Sequence, residues 1–200
     1  MNILIACEFS GVVRSTFAEK GHYVFSCDYL ETEIPPGPRQ RHFVGNVLKL
    51  IYDQNFHWDM MIAFPPCTFL ATCGSIWWKK QPWRLKEQKK ALDFVGHLMD
   101  APIEKIAIEN PVGVISTKIR KADQYIQPCD FGHDYTKKTG LWLKGLPLLK
   151  ATKKVVPKKT NWKNTAGFSS QKDRELKRES WRRRVRLPKG VAKAMAEQWG

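Results

Sequence analysis

Pro65-Pro66-Cys67 places a thiol directly after the apolar run Met60-Met61-Ile62-Ala63-Phe64. The prolines stop that run and fix the direction in which the chain leaves it. A core cysteine usually lies inside an element, whereas a thiol on a rigid turn is placed to react. A free thiol ionises near ~8.5, so only a few per cent is thiolate at neutral pH. A helix amino end or a nearby cation raises that share. A later apolar run, Ile106-Ala107-Ile108, leads into Glu109-Asn110-Pro111. Burial at a strand end raises a carboxyl pKa and keeps the group partly protonated. A protonated carboxyl can donate to a ring nitrogen as a general acid does. Asn110 can orient it, and Pro111 fixes the exit. Thiolate and carboxylic acid together suit the addition of sulfur to a pyrimidine, which readies the neighbouring ring carbon for alkylation. The structural alternative for Glu109 is a strand-end ion pair with one of the many lysines.

Further polar residues follow other apolar runs. Phe9-Ser10-Gly11 forms a strand-to-helix turn, in which Gly11 lets the backbone approach a ligand closely. Asp28 stands where doubly wound folds hold ribose hydroxyls, and also where an ordinary turn residue would end a strand. Asn46, after Gly45, can read an adenine edge or close an Asx turn. Cys7 and Cys27 lie in apolar runs and read as core residues, and Cys73 lacks the proline frame of Cys67. Five cysteines with no Cys-x-x-Cys spacing argue against a disulfide framework and against a zinc site. His133, between Asp130 and Asp134, reads as part of a polar loop. Trp77-Trp78 can form an exposed platform for bases or can cover the core.

The elements that must position these residues alternate in type. Apolar runs at Met1 to Cys7, His22 to Asp28, His42 to Val44, Met60 to Phe64, Ile106 to Ile108 and Gly140 to Leu143 read as strands. Helices are expected over Val12 to Lys20 with Ser10 as cap, Val47 to Asp53, Leu85 to Met99 and Gly190 to Trp199. Residues 68–84 read as a long loop, and Pro35-Pro36-Gly37-Pro38 as a rigid one. This alternation predicts an α/β fold, a Rossmann-like, doubly wound and mostly parallel sheet. Ligands of such sheets bind beyond the carboxyl ends of the strands. Ser10, Gly11, Asp28, Asn46, Cys67 and Glu109 each follow a strand and are expected along that one edge.

A chain of 200 residues with 42% hydrophobic content suits one domain with a real core. No stretch suits a bilayer span, and the first residues read as a strand rather than a leader, so a soluble cytoplasmic protein without metal or membrane partner is expected. The net charge is +15, and eleven of those charges fall between Leu146 and Arg186, where 14 lysines and arginines meet 3 acids. With Trp162, Phe168 and Trp181 interleaved, that segment has the electrostatic footprint of a nucleic-acid partner. A solvated basic tail is the plain alternative.

In order along the chain, these residues resemble the DNA cytosine-5 methyltransferase family. Phe9-Ser10-Gly11 is similar to the family's first cofactor motif, Asp28 to the acid after its second strand, and Gly45-Asn46-Val47 to its Gly-Asp-Ile. Pro65-Pro66-Cys67 matches the nucleophile motif, and Glu109-Asn110-Pro111 resembles Glu-Asn-Val. The resemblance covers about Met1 to Val112. Val13-Arg14 stands where the family has a second glycine pair, Cys7 replaces an acid, and Thr68 replaces a glutamine. The family's Gln-x-Arg-x-Arg has two candidate counterparts, Lys137-Lys138 and Arg182, Arg184 and Arg186. A large target-recognition domain is missing, as in compact phage-type members. For such a member the expected compartment is the host cytoplasm.

The resemblance implies S-adenosylmethionine as cofactor, held by Phe9, Ser10, Gly11, Asp28, Asn46 and Pro65. It implies DNA, duplex or single-stranded, as substrate. The catalytic set would be Cys67 and Glu109 with Pro66 and Asn110. It further implies a catalytic core over 1–145, a DNA-contacting segment over 146–186, and a closing helix within 187–200 that packs back on the core. Two other readings stay open: an enzyme of free pyrimidine nucleotides, and a non-catalytic nucleic-acid binder on a degenerate core.

Overall fold

The structure is a computed structural model, and it describes residues 1–72, 81–158 and 186–200. Seven strands form one sheet: β1 (Asn2–Ala6), β2 (Tyr23–Asp28), β3 (Gln40–Val44), β4 (Met60–Ala63), β5 (Lys105–Pro111), β6 (Gln124–Ile126) and β7 (Thr139–Lys144). Their order is β3-β2-β1-β4-β5-β7-β6. The first five are mutually parallel, and β7 enters antiparallel between β5 and β6. The doubly wound, mostly parallel sheet expected from the alternation is the sheet the chain forms.

Both faces of the sheet are covered, which is why its strands read as unbroken apolar runs. Ile3, Ile5, Met60, Ile62 and Ala107 point to one face. There they meet Val13 and Phe17 of α1 (Val12–Ala18) and Val191, Met195 and Trp199 of α5 (Lys189–Trp199). Leu4, Ala6, Met61, Ala63, Ile106 and Ile108 point to the other face. Their partners include Val47 and Ile51 of α2 (Val47–Ile51), Val95 and Leu98 of α3 (Trp83–Met99), and Ile115 of α4 (Ile115–Lys118). Residues i and i+1 thus serve different layers throughout, as the period of two requires.

Several boundaries differ from the sequence expectation. α3 starts at Trp83 because Pro82 occupies its cap, a place where the missing N–H costs nothing. β5 runs on through Glu109, Asn110 and Pro111, since β7 pairs with it as far as Pro111↔Thr139. α4 and β6 are too short to show a period in the sequence. No helix among the described residues is long and apolar enough to cross a membrane.

The order reverses between β1 and β4, with β2 and β3 to one side and β5 to the other. The crevice outside the carboxyl ends of strands at such a reversal is where open α/β sheets bind ligands.

Candidate active site

The turn after β1 is built around a buried carboxylate. Glu8 accepts from Ser10 Oγ at 2.9 Å, from the Val13 N–H at 2.8 Å and from the Arg14 N–H at 3.3 Å. It therefore caps α1, and Ser10 assists by accepting from the Val12 N–H at 3.2 Å. Burial pushes the Glu8 carboxyl up, and these donors pull it back. Gly11 sits at φ 74°. A Cβ there would come within 2.8–3.2 Å of Arg14, Thr32 and Ile34. The close approach that Gly11 permits is therefore one by the chain itself, since the loop after β2 lies on this turn. Arg14, fully buried, fastens that loop: it donates to Ser26 at 2.7 Å, to Thr32 at 3.0 Å, to Gln40 at 3.1 Å and to the Ile34 carbonyl. The signal that could have found Glu8 was an acid five positions before the helix's second residue.

Beyond β2, β3 and β4 lies a cavity of about 560 Å³, lined by Asp28, Asn46, Pro65 and Pro66. Three residues expected around the cofactor, Asp28, Asn46 and Pro65, thus share one concavity of ligand size with Pro66 of the expected catalytic set. Tyr29, Phe69 and Phe94 also line it, as does the ion pair of Glu87 and Lys90 at 2.8 Å. Asp28 accepts from the Leu30 N–H at 3.0 Å, and burial lifts its carboxyl above the ordinary range. Asn46 caps α2 by accepting from the Leu48 N–H at 3.0 Å. The Asx turn and the place on the cavity wall therefore coexist, and the amide nitrogen is the part of Asn46 suited to a ligand acceptor. Cys7 and Cys27 line the same cavity. Burial pushes the Cys27 thiol up to about 11 and the Cys7 thiol higher still, so both stay protonated.

Cys67 lies on the turn after β4, half-buried, with Pro65 buried before it and Pro66 exposed. Its carbonyl accepts from the N–H groups of Leu70 at 3.0 Å and Ala71 at 2.9 Å, so the thiol stands at the amino end of one helical turn. The returning chain is stitched to the segment after β5: Thr72 N–H donates to the Val112 carbonyl at 3.1 Å, and Val114 N–H to the Leu70 carbonyl at 2.8 Å. On the proline side, Asn110 Nδ2 donates to the Pro65 carbonyl at 2.7 Å. Asn110 is 1% exposed, and its Oδ1 makes no hydrogen bond among the described residues. Asn110 thus ties the thiol loop to the strand that carries Glu109.

Glu109 projects to the opposite face of β5 from Asn110. It is buried beside Lys137, Thr139, Leu187 and Pro188 around a small cavity. Burial pushes its carboxyl up, while the Lys137 charge and a hydrogen bond with Thr139 pull it down, and the upward shift prevails. The Lys137 contact is the salt-bridge alternative in part, but it leaves the carboxyl easier to protonate than usual. Leu187 also borders a second small cavity with Phe9, Ser10 and Arg186. Arg186 pairs there with Glu33 at 2.5 Å, and the Glu33 N–H donates to the Phe9 carbonyl at 2.8 Å. Arg186 therefore faces the turn after β1. Lys138 Nζ lies 4.8 Å from the ring centre of Tyr125. Arg182, Arg184, Cys73, Trp77 and Trp78 fall outside the described residues, as do Trp162, Phe168 and Trp181.

His133 has a structural task that the sequence reading did not assign. Its Nε2 accepts from the Gly190 N–H at 3.0 Å and caps α5. Among the described residues, no group of three His, Cys, Asp or Glu side chains is placed to hold a metal.

No protein-family model matches the chain. No curated protein matches it either. Among solved structures, 49 chains match. One is a protein encoded within an E. coli prophage and described as a DNA modification methyltransferase, at a TM-score of 0.49 and 16% identity. The match covers 74% of this chain and 49% of that one, so this chain spans about half the length of the protein it resembles.

Proposed function

We propose that this protein is an S-adenosylmethionine-dependent methyltransferase acting on carbon 5 of cytosine in DNA, with Cys67 as nucleophile. The observation that carries the reading is that the Cys67 loop is bonded to the Glu109 strand through Asn110 and Pro65 and lends Pro65 and Pro66 to the wall of a nucleoside-sized cavity. The donor set fits the cofactor. Asp28 offers a carboxylate to ribose hydroxyls, Asn46 an amide to an adenine edge, and Tyr29, Phe69 and Phe94 offer apolar faces to a base. S-adenosylmethionine supplies an electrophilic methyl group when bound.

The chain's residues account for the remaining steps. The Cys67 thiolate adds to carbon 6 of the ring, while the Glu109 carboxyl holds and protonates the ring nitrogen so that the displaced electron pair gathers at carbon 5. With carbon 5 methylated, loss of its proton to a base lets the ring double bond reform and expel the Cys67 thiolate, and the ring nitrogen returns its proton to the Glu109 carboxylate. Burial of Glu109 suits the first step, since a carboxyl that is easily protonated is the better acid near neutral pH. In duplex DNA the target base must leave the stack, at a cost of a few kcal/mol.

Nucleoside mass spectrometry tests this on DNA from a host that lacks its own cytosine methylation, expressing either the chain or its Cys67→Ala variant. New 5-methylcytosine that vanishes in the variant is the expected result. A different modified cytosine, still dependent on Cys67, would change the donor. Unmodified DNA beside abundant folded protein would overturn the reading in favour of a nucleotide-level enzyme or a non-catalytic binder.

A further inference from the structure

A second basic surface lies outside the Leu146–Arg186 segment, on the sheet edge nearest Glu109. Lys118 ends α4, Arg120 and Lys121 follow between α4 and β6, and all three are exposed. Lys138, also exposed, stands one residue before β7. The acid within this group, Asp123, is engaged by Arg120 at 2.8 Å and by the Leu143 N–H at 2.7 Å. The positive charge of the three lysines is therefore not cancelled locally.

This surface is fixed in shape and joined to the site. Tyr125 shows its ring on edge strand β6 and is 43% exposed. Its hydroxyl is hydrogen-bonded with Ser116 Oγ at 3.1 Å, which ties β6 to α4. The same ring carries the Lys138 ammonium, a contact that holds a long side chain in place. Tyr125 lies in register with Gly140, and Gly140 with Asn110, so this surface shares the sheet face of Asn110, the residue bonded to the Cys67 loop. A strand delivering a base to Cys67 would thus pass its neighbouring phosphates over Lys138 and Tyr125 towards Lys118 and Lys121.

We infer that the α4–β6 edge, with Lys118, Lys121 and Lys138 as its cations and Tyr125 as the support of Lys138, binds the phosphodiester backbone of the DNA strand that carries the target base. The inference rests on the reading above and deepens it, since such a track recognises polymer and not a free nucleotide. It also gives the basic charge two seats, one within Leu146–Arg186 and one rigidly joined to the sheet.

The test is fluorescence anisotropy of the full chain with a labelled DNA 20-mer, single-stranded and duplex, across a salt series. It compares the wild type, the triple variant Lys118→Gln, Lys121→Gln, Lys138→Gln, and a charge-matched control, Lys20→Gln, Lys49→Gln, Lys86→Gln, on other exposed positions. Each lost phosphate contact flattens the slope of log affinity against log salt by about 0.7–0.9. The edge variant is expected to bind roughly tenfold or more weakly at low salt, with a slope shallower by about two, and the control to stay within about twofold of wild type. Edge and control variants that weaken equally would overturn the track while leaving the methyltransferase reading intact. So would an edge variant indistinguishable from wild type. A wild type that binds no DNA but converts cytidine nucleotides through Cys67 would overturn both. RNA of the same sequence bound tenfold more tightly than DNA would overturn the assignment to DNA.

Discussion

Burial of the Glu109 carboxyl suits the proposed chemistry and works against stability, and pH separates the two effects. Its folded pKa lies above the ordinary value of 4.5, chiefly through burial. Well below that value both folded and unfolded chains hold the proton. As the pH rises, the unfolded carboxyl ionises first, so the unfolded state binds fewer protons and the folded state loses stability until the raised pKa is passed. The Glu109→Gln variant has no proton to lose there. Glu8 is shifted in the same direction but is present in both proteins, so it cancels in the comparison. The variant is therefore expected to gain thermal stability relative to the wild type as the pH climbs from the carboxylate range towards neutral. Its turnover is expected to fall by about 10²–10⁴-fold, the scale of a lost general acid. Melting curves from pH 4 to 8, run beside a methyl-transfer assay, check both. Two melting profiles that run parallel at every pH would show that Glu109 is not held protonated by the fold.

The element that matters most for Cys67 is the seam between its loop and the segment after β5. Gly113 lies against the Leu70 carbonyl there, and a Cβ would overlap that backbone atom. A Gly113→Ala substitution must push the two segments apart at the rim of the core, beside Leu70 and Val114. The expected outcome is a folded protein whose turnover drops by about a hundredfold, as a displacement near 1 Å produces, with cofactor affinity changed by less than about threefold. Stopped-turnover assays and calorimetric titration distinguish this from unfolding, and unchanged turnover would mean that the seam does not set the thiol's position. Gly113 also marks where the sequence ceases to be legible. The strands, α3 and α5 announce themselves because many apolar residues repeat a period, and the period survives small errors at its ends. The placement of Asp28, Asn46, Cys67 and Glu109 along one edge followed from the rule that loops after parallel strands share a side. The capping by Glu8, the anchoring by Arg14 and the seam at Gly113 each depend on a single long-range contact, which no local pattern encodes. Arg14 shows this well. Its side chain looks like an ordinary surface charge on α1, yet it is fully buried because Ser26, Thr32, Ile34 and Gln40 converge on it from three later segments.

At the scale of the whole molecule, charge decides between polymer and nucleotide. A net +15 on 200 residues raises the local concentration of any polyanion, but a field alone gives no particular number of contacts. The number comes from salt dependence, because each phosphate neutralised on duplex DNA releases about 0.9 of a counterion. If the Leu146–Arg186 segment and the α4–β6 edge both engage the backbone, at least six phosphates are within reach of their cations. The slope of log affinity against log salt should then be about −5 or steeper, so that affinity for a duplex falls roughly a thousandfold between 50 and 200 mM salt. A free nucleotide brings one or two phosphate groups and no condensed counterion atmosphere. Its binding would change severalfold at most over the same range. Anisotropy titrations with duplex DNA and a competition series with dCMP, run in the same salts, set these limits side by side. A steep slope for the duplex with a shallow one for dCMP is the expected pattern. A duplex slope near −1 would mean that most of the basic segment never meets the backbone. The long positive stretch would then need a different partner, and the compact chain would fit a nucleotide-level enzyme better than one that works on DNA.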